Sequence, residues 1–467
     1  MKQNHATKWL GKRATLIRGV VVVTFIFAMI SILLLFSFQS VLTWGSPLLS
    51  EKTTSNFLSV NPPLRYENGD PRVINWRPEG SQTWGTEITT DNNGSIYTVG
   101  DIEYLTEEEI VLKHLLLSKW DSNGTQLWYR IWGDIDCEVR GRGVAVDTIG
   151  NVYTTGCMDC SSSYGSVLVK WDGAGNQVWN CTWKGWIERN GGQSVIVGSD
   201  GNIYTIGYTY TYTYHPLLTK WNIAGNQVWN RTWEGAVGVA IDFQDEYIYT
   251  IGYNYNTSED LRLVKWDTAG NRVWNRTWEN ALTLSFPDDQ ALWTGLAVDT
   301  GGNVYTTGST RGSFVLLKWD GAGNQLWSRT REAGVSHAKI TIGGVNNSIY
   351  TIGSRVLRYK STKGIPMEDI TVLKWDTEGN LLRIQSSGYQ GCARGIDISS
   401  DDKICATGIS GELPDHTLQL VIFSSGNFSS IPSEYTSGFA VPIIIFTVFL
   451  LSFLNKRRRR TLSTIDK

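Results

Sequence analysis

The stretch GNVYTTG, Gly150–Gly156, decides the fold, because versions of it recur along the chain. They read GSIYTVG from Gly94, GNIYTIG from Gly201, EYIYTIG from Glu246, GNVYTTG from Gly302, NSIYTIG from Asn347 and DKICATG from Asp402, which makes seven in all. A second block, KWDGAGNQVWNCTW at Lys170–Trp183, returns from Lys119, Lys220, Lys265 and Lys318. It is weakened from Lys374, where Arg383 replaces the later tryptophan. The period averages about fifty residues, in the range of propellers and solenoids. Each period holds four short apolar runs, typified by GVAVD (Gly143–Asp147), NVYTTG, SVLVKWD (Ser166–Asp172) and NQVWNCTW. Four strands make one blade. The expected fold is therefore all-β, a seven-bladed propeller of four-stranded blades over residues 72–428.

The seventh unit ends on LQLVIF (Leu418–Phe423) and leaves without a WNRTW-like run. Ahead of the first unit, RVINWR (Arg72–Arg77) is a spare strand, with Trp76 placed to complete blade seven. Closure by this N-terminal strand would remove the exposed sheet edges.

Turns such as DTIGN (Asp147–Asn151) and DGAGN (Asp172–Asn176) join strands one to two and three to four. Asp accepts a backbone N–H two residues on, and Gly supplies positive φ. Each turn offers one carboxylate, too few for a calcium loop. In WNRTW (Trp229–Trp233) both indoles share a strand face with Arg231, while Asn230 and Thr232 face the other way. The indoles are expected to pack between adjacent sheets, each N–H finding a local acceptor.

The combined pattern, LLVKWDxxGNxxWNRTW followed by GVAVDxxGNVYTTG, resembles the SBBP-type beta-propeller repeat, a family of seven-bladed propellers, from Arg72 to Phe423. The resemblance implies a surface or secreted binding or scaffold module and transfers no catalytic residue. The GNQVWNRTW run is also similar to the repeat of pyrroloquinoline-quinone dehydrogenases, whose cofactor-stacking tryptophan and calcium site have no counterpart placed here. The WDxxGNxxW turn is similar to the sialidase Asp-box, with one residue more between Asp and Gly.

At the ends, Gly19–Phe38 and Gly438–Leu454 are uncharged apolar runs long enough to span a bilayer. The first is read as a signal-anchor (residues 19–42), with a cleaved signal peptide as the alternative. The second precedes Lys456, Arg457, Arg458, Arg459 and Arg460, a stop-transfer pattern. Basic flanks at both ends place residues 1–18 and 455–467 in the cytoplasm. The linker 43–71, the propeller and the stalk 429–437 then lie outside the cell. Without the flanks, 31 basic residues oppose 43 acidic ones, which disfavours nucleic acid as a partner. Eight Asn-x-Ser/Thr sequons, at Asn93, Asn123, Asn180, Asn230, Asn256, Asn275, Asn346 and Asn427, lie in this exterior part. Asn180, Asn230 and Asn275 share one slot on the fourth strand.

Function is expected where the repeats differ. In a four-strand meander the DxxGN turns share one face, and the second-to-third and blade-to-blade loops share the other. Only the latter vary, as in YTYTYTYH (Tyr208–His215) and YNYNTSEDLR (Tyr253–Arg262). Tyr208, Tyr210, Tyr212, Tyr214, His215, Tyr253 and Tyr255 are the candidate ligand-binding residues, on the principle that rigid scaffolds carry recognition on variable loops. The ligand is expected to be an extracellular protein or glycan, for adhesion, recognition or envelope scaffolding. The alternative is an extracellular enzyme, quinone-dependent or glycosidase-like. His114, His215, His337 and His416 are scattered without HExxH or a nucleophile elbow, so no catalytic residue, cofactor or metal ligand is assigned. Six cysteines in an exterior domain suggest disulfides. Cys137, Cys157, Cys160 and Cys181 surround blade two, their pairing left open, and Cys392 with Cys405 would bridge near ring closure.

Overall fold

The computed structural model describes residues 71–424 apart from 106–110, 135, 161–162, 186–188, 211–213, 234–236, 245, 254–260, 279–293, 311–312, 333–338, 344–346, 360–365 and 412–414. By its contacts the chain divides into residues 1–64 and 65–467, and all the described residues lie in the second unit. Among them 28 strands form seven four-stranded antiparallel sheets. Six sheets are consecutive meanders. The seventh places Arg72–Trp76 on the outer side of Thr417–Phe423, with Arg72 opposite Ile422 and Trp76 opposite Leu418. This is the expected closure by the N-terminal strand.

Burial follows position in the blade. The second strand of blade two is sandwiched between neighbouring blades, and Val152–Gly156 are all buried. The outer strand Gln126–Trp132 lies at the rim and alternates half-buried with exposed. Hydrophobic clusters accordingly join neighbouring blades, as where Tyr97, Val99 and Leu117 of blade one meet Val144, Val152 and Val169 of blade two.

The repeated polar residues are used in sets. In blade three, Asp200 accepts the Tyr204 hydroxyl at 2.8 Å, the Lys220 ammonium lies 5.2 Å from the Tyr204 ring, and Trp221 Nε1 donates to Thr205 Oγ1 at 3.0 Å. The tryptophan-to-threonine bond recurs in all of blades one to six. A buried indole N–H must find an acceptor, so Thr and Trp are inherited together. In the turns the Asp147 carboxylate accepts the N–H groups of Ile149 and Asn151 and the Asn151 side-chain amide. Gly150 has φ 89°. Hydrogen bonds from Asn176 hold the exposed Asp172 carboxyl below its ordinary value in the same way.

The outer-strand arginine has a role the sequence reading missed. Arg231 donates through Nε to Gly270 O at 2.8 Å and through Nη2 to Ala269 O at 3.1 Å, both in the third-to-fourth turn of the next blade. Arg130, Arg276 and Arg329 grip the following turn alike. Trp179, Trp229 and Trp274 add an indole bond to that turn. Blade six lacks the pair, with Arg383 and Gln385 in these positions, and blade seven has no such turn to grip.

Around the channel, Asp397 of blade seven accepts Thr90 N–H of blade one at 2.8 Å. Lys339 of blade six reaches Glu87 of blade one at 2.8 Å, passing the inner strand of blade seven at Gly395, where an added Cβ would meet the Glu87 carboxylate. Among the described residues no helix is long and apolar enough to cross a membrane, and the runs 19–38 and 438–454 lie outside them.

Candidate recognition face

Strand polarity assigns every loop to a face. The DxxGN turns share one face of the ring. The second-to-third hairpins rise from the other, to unequal heights. In blade one Ile96–Leu105 pairs with Val111–Trp120, ten residues each, and in blade six Ser348–Tyr359 runs to 12. In blade five the equivalents, Val304–Thr310 and Ser313–Trp319, stop at seven.

The tyrosine stretch belongs to one of these hairpins. Ile203–Tyr210 pairs with Tyr214–Trp221 without a register shift, Tyr210 opposite Tyr214 and Thr209 opposite His215. Tyr208 and Tyr210 therefore keep the parity of Tyr204. Thr209, on the opposite parity, is buried. The Tyr208 ring lies over Gly191, where a Cβ would come within 2.5 Å of Cζ, so this glycine makes room for the ring. Tyr208, Tyr210 and His215 are each partly exposed. The stretch is thus a strand extension lodged on its neighbour, with tyrosine edges left at the surface. Tyr253 ends its strand opposite Leu261. Tyr212 and Tyr255 lie outside the described residues.

Charge gathers at the loop-face ends of blades one and two. Asp101 is buried and accepts Gly141 N–H of blade two at 2.9 Å. Burial raises its carboxyl while Arg142 and Arg140 oppose the rise. Burial likewise raises Glu103, opposed chiefly by Lys113. Glu138 pairs with Arg140 at 3.3 Å. In the same position of blade six, Ser354 Oγ accepts Ala393 N–H at 2.9 Å. Asp101 therefore serves first as a bridge between blades.

The described histidines do not converge. His114 stands in blade one, His215 in blade three, and His416 in blade seven, edge-on to Trp84 at 5.5 Å. Burial and Arg394 lower the His416 pKa. His337 lies outside the described residues. A cavity of about 20 Å³ between blades two and three is lined by Thr155, Ser166, Trp183, Thr205, Thr219 and Trp221 among others, with no carboxylate or imidazole. It has room for one water.

One disulfide is present among the described residues, Cys137–Cys160, joining the loop-face ends of the first two strands of blade two. Cys157 lies outside it, and the Cys181 thiol contacts Gly225 O at 3.0 Å in the position other blades give to arginine. The expected Cys392–Cys405 bridge is corrected. Cys392 pairs with Ile409 and Cys405 with Asp397, near opposite ends of one hairpin. Cys405 is instead a buried core residue in the tyrosine slot of blade seven, and burial raises its thiol.

Of the sequons, Asn180, Asn230 and Asn275 are exposed on the outer strands of blades two to four, each with its threonine exposed two residues on. Asn93 and Asn123 are exposed in turns of blade one. Asn256, Asn346 and Asn427 lie outside the described residues.

No family model matches the chain, and no curated protein matches it in sequence. The SBBP-type likeness therefore rests on the repeat motif alone. Several solved structures are similar in shape. A Trypanosoma rangeli sialidase in complex with the inhibitor DANA has a TM-score of 0.45 at 12% identity, covering 78% of this chain and 60% of its own. A protein from Lactobacillus plantarum has a TM-score of 0.43 at 13% identity, covering 77% and 96%. At these levels neither bears on function. The class of protein, a seven-bladed propeller, is defined by the chain's own strand order.

Proposed function

We propose that this chain is a membrane-anchored, cell-surface propeller of the SBBP repeat type that binds an extracellular protein or glycan through its loop face. The observation that supports it most is the difference between the two faces. In most blades the turn face repeats a self-satisfied turn that closes on a positive-φ glycine, whereas the loop face carries hairpins of unequal height bearing Tyr208, Tyr210, His215 and Lys113, with Trp84 on the neighbouring first strand of blade one. Recognition resides where a rigid scaffold varies. Rim glycans at Asn180, Asn230 and Asn275 would leave both faces clear.

The test is a screen of the full chain in detergent against a glycan array and envelope proteins. Tyr208→Ala with Tyr210→Ala should lower affinity at least about tenfold, as expected for aromatic contact residues, and the exposed turn-face change Ile149→Lys should not. The reverse pattern would refute the assignment. Turnover of a quinone-linked or glycosidic substrate would favour the enzymatic alternative.

A further inference from the structure

The two ends of the propeller leave it at one place. In each meander the third strand runs from the loop face to the turn face, and the fourth runs back. Thr417–Phe423 is the third strand of blade seven, so the chain departs at the turn face. Arg72–Trp76 takes the fourth position, so the chain also enters at the turn face, with Arg72 opposite Ile422. Side-chain contacts agree. An added Cβ on Gly124, in a blade-one turn, would meet Ile74 and Ile422. Lys403, in a blade-seven turn, donates to Ser122 O at 3.0 Å. At the other end of the same strand, Arg77 pairs with Asp415 at 3.1 Å on the loop face.

We infer that the propeller is tethered by its turn face, with the DxxGN turns directed toward the membrane and the variable hairpins directed away from it. This rests on the membrane-anchored reading above and gives it an orientation. The orientation does not depend on which apolar segment persists. The run from Gly438 connects through Phe423, the run ending at Phe38 connects through Arg72, and both points are on one face. A retained or cleaved N-terminal segment gives the same result.

Length supports the same arrangement. The connector 424–437 is 14 residues and spans at most about 50 Å when fully extended. Presenting the loop face to the membrane would require it to climb the height of a blade, about 23 to 33 Å for strands of seven to ten residues. That would use about half to two-thirds of its reach. With the turn face inward no such climb is needed. The tall hairpins of blades one and six then stand farthest from the bilayer, accessible with those of blades two and three to a soluble ligand or an opposing surface. The exposed Asn93 and Asn123 fall on the membrane side, where glycans would act as spacers.

The experiment uses the full chain reconstituted into vesicles containing acceptor-labelled lipid, with a donor dye attached through an unnatural amino acid at one site at a time. Ile149 and Ile223 are exposed in turns of blades two and three, and Tyr389 is exposed at the loop-face end of an outer strand in blade six. Transfer from sites 149 and 223 should exceed that from site 389 by at least about twofold, given a blade height of about 23 to 33 Å. Equal transfer, or greater transfer from site 389, would overturn the orientation while leaving anchoring intact. A chain that fails to float with the vesicles would overturn the anchoring reading itself, and with it the orientation.

Discussion

Blades three and seven share one backbone plan and opposite interior chemistry. Blade three stacks Lys220 on Tyr204 and bonds Trp221 to Thr205. In blade seven the corresponding residues are Ile422, Cys405, Phe423 and Ala406, all buried and apolar. The four positions change as a set because each polar member satisfies another, and losing one alone would bury an unpaired group. The outer edges differ too. Blade three grips its successor with Arg231. Blade seven borrows Arg72–Trp76 and meets blade one through Ile74, which packs where an arginine would otherwise reach the turn at Gly124. A repeat unit carries local bonds from copy to copy, but the unit that closes a ring is built to accept a strand from far away in sequence.

The largest effect should come from striking that closure. Ile74→Asp places a carboxylate against Ile422 and the blade-one turn, and should destabilise the chain by about 3 kcal/mol or more in urea unfolding. An effect no greater than that of an exposed rim change would show that the ring closes without this contact.

Next comes the pH dependence of the seam. Burial pushes the Asp397 carboxyl up to about 6 from an ordinary 3.8. The folded chain therefore holds this proton more tightly than the unfolded chain does. The associated stability is present below about pH 4 and is lost as pH rises through about 6, on the order of 2 to 3 kcal/mol. Asp397→Asn should flatten that part of the profile, measured as urea midpoint against pH, and an unchanged slope would contradict it.

A coupling of about 0.5 to 1.5 kcal/mol should link the tryptophan and threonine positions, the net value of an intramolecular hydrogen bond between neutral groups. Phe423→Trp in blade seven strands an indole N–H beside Ala406, and adding Ala406→Thr should recover part of the loss in a double-mutant cycle. Strict additivity would break the account of the set. The smallest effect should be a gain. Cys181→Arg restores the grip on the turn at Gly225 and should raise stability by about 0.5 to 1 kcal/mol, since the site is partly solvated.

Much of this was legible in the residues, because a repeat of about fifty residues with four apolar runs admits few architectures. The Asp-Gly-Asn turns, the inter-sheet indoles and the strand borrowed from Arg72–Arg77 follow from local chemistry and counting. The arginine grip was not legible, since its acceptors are backbone carbonyls roughly forty to fifty residues away, and a carbonyl leaves no mark in sequence. The expected Cys392–Cys405 bridge failed for a related reason. Both residues lie in one blade, but pairing register, which is set by the inner-strand shift between Ala393 and Gly395 and by the Ser399–Lys403 turn, puts them at opposite ends of their hairpin.

The candidate face divides along the same line. Alternation alone put Tyr208 and Tyr210 on one side of a strand, as the unbroken register bears out. Only the fold brought Gly191 beneath Tyr208 and left the tyrosine edges at the surface. Sequence determined the number of blades, the turns and the strand faces, because these depend on neighbours within a few residues or on exact repetition. Tertiary structure decided which blades grip, how the seam is filled and that both ends leave by one face, because those depend on how the sheets are stacked into a ring.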